Sequence, residues 1–223
     1  MGSNTPIDPQ YCILRLPTSS PRLTDLITKF RDAKLAALLE DPTSWAYPYA
    51  SEANHSASLW EARLARQTVL ICVAATNPSR STEDALIQEG WVGFAAVRGR
   101  IVCEAYYTAP EMQPIPESPE AETRWHVSDL YFNLAHRGHS IARKLGAACM
   151  VTIGELATAE GNHKARISLL VSFRESAKVS MREGLEANGM IENIPNDTTS
   201  TEELGRAFHS KVGIAMERVV EFP

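Results

Sequence analysis

Apolar positions along this chain change period several times, and each change marks an element. Residues 11–16 (YCILRL) read as a short strand closed by Pro17. From Ser20-Pro21 the period lengthens. Leu23, Leu26, Ile27, Phe30, Ala33, Leu35 and Leu38 recur at helical spacing, predicting a helix to about residue 40 that Asp41-Pro42 stops. Residues 41–56 form a polar, proline-broken loop carrying Trp45, Tyr47 and Tyr49, followed by a short helix over 58–66. Residues 68–75 (TVLICVAA) are a buried strand, 76–90 a polar connection and 90–97 (GWVGFAAV) another strand. Gly99-Arg100 suits a hairpin turn into a strand over 101–108.

Residues 109–123 hold four prolines and four glutamates, and read as an irregular acidic segment or a flap. A strand follows over 124–132, then a long helix over 140–160 with Ile141, Leu145, Ala148, Cys149, Thr152 and Leu156 on one face. Gly161-Asn162 ends that helix. Residues 165–173 are a strongly apolar strand, 175–188 a further helix with Gly189 at its C-terminal position, 191–194 a short strand and 211–222 a last strand. No repeat or linker divides this order, so residues 1–223 are expected to form one mixed α/β domain with residues 1–10 flexible.

The stretch from 129 to 142 (DLYFNLAHRGHSIA) carries the clearest chemistry. A strand runs through a small-residue turn into a helix, so turn amides converge where the helix N-terminus is partly positive. That is an anion site, and its expected ligand carries phosphate. His136 and His139 offer a two-histidine spacing, but no third ligand follows, so no metal site is expected. No Gly-Lys-Ser/Thr triplet is present for a P-loop.

Net charge and composition narrow the partners. At -5 the chain is not expected to bind nucleic acid broadly, and no apolar run reaches the roughly 20 residues of a membrane span. The polar N-terminus lacks an apolar signal core. Cys12, Cys72, Cys103 and Cys149 are widely spaced in apolar contexts and read as buried thiols of a reducing compartment. A cytoplasmic location is expected.

The element order and the segment LYFNLAHRGHSIARKL resemble the GNAT superfamily of acyl-CoA-dependent N-acetyltransferases. The family signature is Arg or Gln, two residues, Gly, one residue, then Gly or Ala. Here those positions are Arg137, Ser140 and Ala142, with Ser140 departing from the usual Gly. The resemblance implies a mostly antiparallel central sheet with one splayed strand pair and helices on both faces. It implies acetyl-CoA as co-substrate and no metal. The pyrophosphate would sit on the turn at Arg137, Gly138, His139, Ser140, Ile141 and Ala142, with pantetheine along Tyr131 and Phe132 and Ser176 at the next helix start.

By the same resemblance Asp129 is the first candidate base, Glu104 the second and His126 the third. Strand alternation sets His126 opposite Asp129 unless a bulge intervenes. The family's usual general-acid Tyr is absent from residues 175–190. Trp45, Tyr47 and Tyr49 are expected to line the acceptor pocket, where aromatic and acidic groups suit a small-molecule amine. A peptide or protein amine, and a catalytically silent CoA-binding module, are the alternatives. Homodimerisation through the C-terminal strands is implied by the resemblance alone.

Overall fold

The computed structural model describes residues 10–223 apart from 43, 46, 76–80, 102–121, 172–185, 192–212. The chain enters as β1 (Gln10–Arg15), then α1 (Leu23–Glu40), α2 (Tyr49–Ala53), α3 (Ala57–Ala65), β2 (Thr68–Ala75), α4 (Thr82–Gln88) and β3 (Gly90–Gly99). After β4 (Thr123–Phe132) come a 3-10 turn (Leu134–His136), α5 (Ile141–Ala159), β5 (Lys164–Val171), β6 (Glu186–Ile191) and β7 (Gly213–Glu221).

The strands form one sheet in the order β1-β2-β3-β4-β5-β7-β6. Every neighbouring pair is antiparallel except β4 and β5, which run parallel around the crossover helix α5. Apolar alternation divides the core between the two faces. Leu70, Cys72, Ala95, Val97, Trp125 and Val127 pack under Ile141, Leu145, Cys149 and Ile153 of α5. Val69, Ile71, Val73, Phe94 and Ala96 pack under Leu26, Phe30 and Leu38 of α1 and Trp60 of α3.

Two short helices lie where the periodicity predicted only loop. Ser81 caps α4 through its side chain, accepting from Asp84 N–H, and Pro48 precedes α2. Both helices are too short for an apolar period to show. The helix expected over 175–188 is corrected at its end: 186–188 belong to β6, and the rest lies outside the described residues. The strand expected over 101–108, with Glu104 and Cys103, lies outside them from residue 102, as do Ser176 and most of the acidic segment.

The α1-facing side of the sheet turns polar beyond β3. Arg124 and Arg166 are directly opposite on β4 and β5, a like-charge pairing that would be unfavourable alone. Glu122 resolves it. Its carboxylate accepts from Arg166 Nε at 2.7 Å and Nη2 at 3.1 Å, and lies 3.2 Å from Arg124 Nη2. Glu217 of β7 adds a second anion 3.4 Å from Arg166. All four side chains are buried, so the cluster is neutral and depends on each member.

Glu122→Ala is therefore expected to destabilise the protein by about 3–5 kcal/mol, because it leaves paired arginines buried without their shared anion. Asp32→Ala, which breaks an exposed pair with Arg31, should change stability by about 0.5 kcal/mol or less. Urea unfolding of both variants measures the contrast.

Candidate functional site

The parallel ladder between β4 and β5 runs from Thr123↔Ala165 to Val127↔Leu169 and then stops. β4 continues to Phe132 against β3, and β5 continues to Val171 against β7. The two strands thus part after Val127, each still held by its outer neighbour. Residues 128–132 of β4 face the gap with no partner strand on that side among the described residues.

A bulge sits at the mouth of this gap. Phe94 pairs with Tyr131, but Ala96 pairs with Ser128, so Ala95 opposes both Asp129 and Leu130. Asp129 has φ 54, one of two non-glycine residues with positive φ among those described. The extra residue resets the alternation. Phe94, Ala96 and Arg98 share the face under α1, and so do their partners Tyr131, Ser128 and His126. The Asp129 carboxylate turns to that face as well, meeting Lys34 of α1 and Arg63 of α3. The bulge is the exception under which His126 and Asp129 are expected to share a face.

Asp129 belongs to a buried quartet. Lys34 Nζ donates to its Oδ1, and Arg63 Nη2 donates to Oδ2 at 3.0 Å. Glu52 accepts from Arg63 Nη1 at 2.9 Å and lies 3.9 Å from Lys34 Nζ. Burial alone would raise the Asp129 pKa, but Lys34 and Arg63 outweigh it and hold the carboxyl down at about 2. A carboxylate so paired is a weak proton acceptor. His126 is half-buried, with Nδ1 3.0 Å from Ser168 Oγ on β5. Burial, then the Arg98 charge, lower its pKa to about 4 against the opposing pull of Asp129. The ring is neutral at physiological pH.

The aromatic loop has a different role from the one expected. Trp45 is 8% exposed, donates Nε1–H to Ala37 O at 3.1 Å and stacks on Phe94. It also packs on Tyr131 and on the chain's own ammonium: Lys34 Nζ lies 4.0 Å from the ring centroid. The expected pocket wall is thus core at Trp45. Tyr47 is partly buried, and desolvation, then Glu52, push its phenol up. Tyr49 opens α2 and is exposed. Tyr131, expected beside pantetheine, sends its side chain to the α1 face, where its hydroxyl donates to Glu40, and leaves its backbone on the open strand.

Beyond β4 the turn has the geometry of an anion cradle. Gly138 has φ 89 and Ser140 φ 57, and both residues are exposed. The first bond inside α5 is Lys144 N–H to Ser140 O at 3.0 Å, so the amides of Ile141, Ala142 and Arg143 precede it. Ser140 holds the N-cap position without a side-chain cap bond. A left-handed backbone there explains why Gly is the usual residue. Tyr11 of β1 braces the turn: its hydroxyl is 2.9 Å from His136 Nδ1 and its ring 4.8 Å from that of His139.

Sequence reading missed Lys34, Glu52, Arg63 and Tyr11. Lys34 carried a visible signal, since it interrupts the apolar stripe of Leu26, Phe30 and Leu38 on α1. Among the described residues no group of three His, Cys, Asp or Glu side chains is set to hold a metal, and no helix is long and apolar enough to cross a membrane. Burial pushes the thiols of Cys72 and Cys149 up to about 11 and 12. Cys12 and Cys72 lie on opposite faces of the sheet.

No protein-family model matches the sequence, and no curated protein matches it. Solved structures do match in fold. Arabidopsis thaliana NAA60 in complex with acetyl-CoA superposes with TM-score 0.57 at 8% identity, over 94% of this chain and 98% of that one. A putative acetyltransferase from Acinetobacter baylyi gives 0.51 at 12% identity over 96% and 95%. The ribosomal-protein-S5-alanine acetyltransferase of Vibrio fischeri gives 0.50 at 12% over 94% and 93%.

Two outcomes follow from the site geometry. Ser140→Gly should stabilise the chain by about 0.5–1 kcal/mol by relieving the left-handed serine, as read by the urea midpoint. Stability should also fall with acid in two stages. His126 has a lowered folded pKa, so the unfolded chain binds its proton first and stability declines from about pH 6.5 to about 4. Asp129 is also lowered, so its contribution is present above the usual carboxylate pKa and is lost as pH falls toward about 2. His126→Gln should flatten the first stage and leave the second, which stability measured across that range tests.

Proposed function

We propose, from the GNAT acetyltransferase fold that this chain adopts, that the protein is an acetyl-CoA-dependent N-acyltransferase. One observation carries the reading. The strand that loses its parallel neighbour after Val127 runs directly into a left-handed turn at a helix N-terminus. An extended pantetheine arm fits the unpaired edge as an added strand, and a pyrophosphate fits the amides at 141–143. Arg137, Arg143 and Lys144 supply positive charge around that turn.

The donor thioester would then lie beside the bulge, with the acceptor on the α1 face. Backbone N–H groups at the gap are the available oxyanion donors. Neither Asp129 nor His126 is basic enough to take a proton from an alkylammonium, whose pKa is about 10.4. An α-amine, at about 7.7–8.0, keeps roughly a tenth of its population uncharged at pH 7, several hundredfold more than an alkylamine, and so depends less on a protein base. The acceptor we assign is therefore an α-amine, of an amino acid or a peptide, in place of a strongly basic small amine. As the C–N bond forms and the C–S bond breaks, the surplus amine proton leaves with the coenzyme A thiolate as thiol or passes to solvent. The neutral His126 ring on the same face is a hydrogen-bond acceptor for the amine. Of the aromatic groups that suggested a cationic acceptor, Trp45 already faces Lys34, and the carboxylates beside that ammonium are Glu52 and Asp129.

Calorimetry with acetyl-CoA tests the donor site. Gly138→Asp should weaken binding by tenfold or more (about 1.4 kcal/mol). Gly161→Asp places the same charge at another left-handed glycine, φ 78, beyond the far end of α5, and should leave binding unchanged. Equal losses in both variants, or no binding by the parent, would remove the donor assignment. Thiol release at neutral pH should then be faster for amino-acid amides and peptide N-termini than for a lysine side-chain amine with its α-amine blocked. The reverse order would sink the α-amine assignment.

A further inference from the structure

We propose that Lys34 and Arg63 are positioning residues that hold the left-handed bulge of β4 at Asp129, and with it the open strand edge expected to receive the acyl donor. The donor part of this inference rests on the acyltransferase reading above; the bulge part does not. The only register slip between β3 and β4 falls at Asp129, and the backbone there is left-handed. A side chain other than Gly, Asn or Asp resists that conformation, and without the bulge β4 would relax by one residue. Such a slip moves Tyr131 and Phe132 to opposite faces of the sheet. Tyr131 would lose Glu40 and its packing on Trp45, while Phe132 would leave the α5 side.

What opposes the slip is the carboxylate. Lys34, 1% exposed, reaches it from α1, and Arg63 reaches it from α3. Both cations are themselves fixed, Lys34 by the Trp45 face and Glu52, Arg63 by Glu52 and the Trp60 ring. Two helices thus grip one backbone position through a single side chain. Neither cation is placed to touch the donor; each acts through Asp129.

Lys34→Met removes half of the grip and leaves one buried carboxylate in excess; the double variants remove the whole grip and keep the buried charge balanced. Lys34→Met should raise the acetyl-CoA Kd about tenfold and speed amide exchange at residues 128–132. Adding Asp129→Gly gives a chain in which Arg63 and Glu52 remain a neutral pair and the bulge forms without a grip. Binding and exchange protection should return to within about threefold of the parent, since Gly takes positive φ freely. Lys34→Met/Asp129→Ala has the same charge and lacks that freedom, so it should stay weak.

If the pairs served only general stability, the Gly and Ala doubles would behave alike, or Gly would be worse, as it is elsewhere in strands. That result overturns the proposal. Parent-like binding and exchange in Lys34→Met overturns it too. So would an Asp129→Asn variant that binds acetyl-CoA normally and loses turnover about a hundredfold, because that assigns Asp129 to proton transfer. If the parent fails to bind acetyl-CoA, the acyltransferase reading falls. The exchange ranking of the two doubles then decides the bulge proposal alone.

Discussion

The carboxylate of Asp129, gripped between Lys34 and Arg63, is the interaction on which the site geometry depends. It lies where three constraints meet. β4 must stay paired with β3, must part from β5 after Val127, and must present Tyr131 to the α1 core and Phe132 to the α5 core. A regular strand cannot meet all three, because its side chains alternate without interruption. One inserted residue can, provided something stabilises its left-handed backbone. A buried ion pair is seldom a net gain in stability over apolar packing, yet removing one partner of it is severe. Here its value is conformational: the charges specify which residue bulges.

The second charged quartet plays the complementary part. Glu122, Arg124, Arg166 and Glu217 tie β4 to β5 and β5 to β7 at the end of the sheet opposite the gap. The parting of the strands is therefore bounded. Below Val127 a neutral, bidentate network keeps the parallel ladder closed; above it the bulge turns β4 away. Gly93 of β3, paired with Phe132 on the open segment, lets α5 pack against that segment, since a Cβ there would come within 2.8 Å of Tyr131 O and 3.1 Å of Leu145. Sequence positions far apart in the chain thus converge on one property, the width of a gap between two strands.

Much of this order was legible from periodicity. The long helices α1 and α5 and the strands β1 to β5 bury apolar residues at a clear period, and the left-handed turn announced itself through Gly138 and the strand-to-helix transition. The bulge was not legible, because inserting one residue into VSDLYF leaves no mark in an alternation that short. Asp129 was therefore read by position as a base, while its partners Lys34 and Arg63, 95 and 66 residues away, left no trace in the local sequence. Trp45 failed for a related reason. An aromatic in a polar loop looks like a pocket wall until the packing shows Phe94 on one side of it and a buried ammonium near its face.

That buried ammonium constrains the chemistry as much as the architecture. Lys34 sits among an indole face and two carboxylates, the very groups that would recognise a cationic amine. With Lys34 and Arg63 against Asp129 and Glu52, this quartet is itself neutral and offers a charged acceptor no free carboxylate. An amine that arrives protonated must also shed its proton where Asp129 is already satisfied by two cations and His126 is held neutral by burial and Arg98. On the proposed acyltransferase reading, both conditions select in the same direction, toward an acceptor whose lower pKa leaves an appreciable uncharged fraction near neutral pH, roughly a tenth at pH 7. Selection by amine pKa needs no specific contact with the rest of the acceptor, so a neutral quartet and a weakly basic site are consistent with each other. Recognition beyond the amine then falls to groups bordering the gap, of which exposed Leu130 and Leu134 are the nearest along the chain.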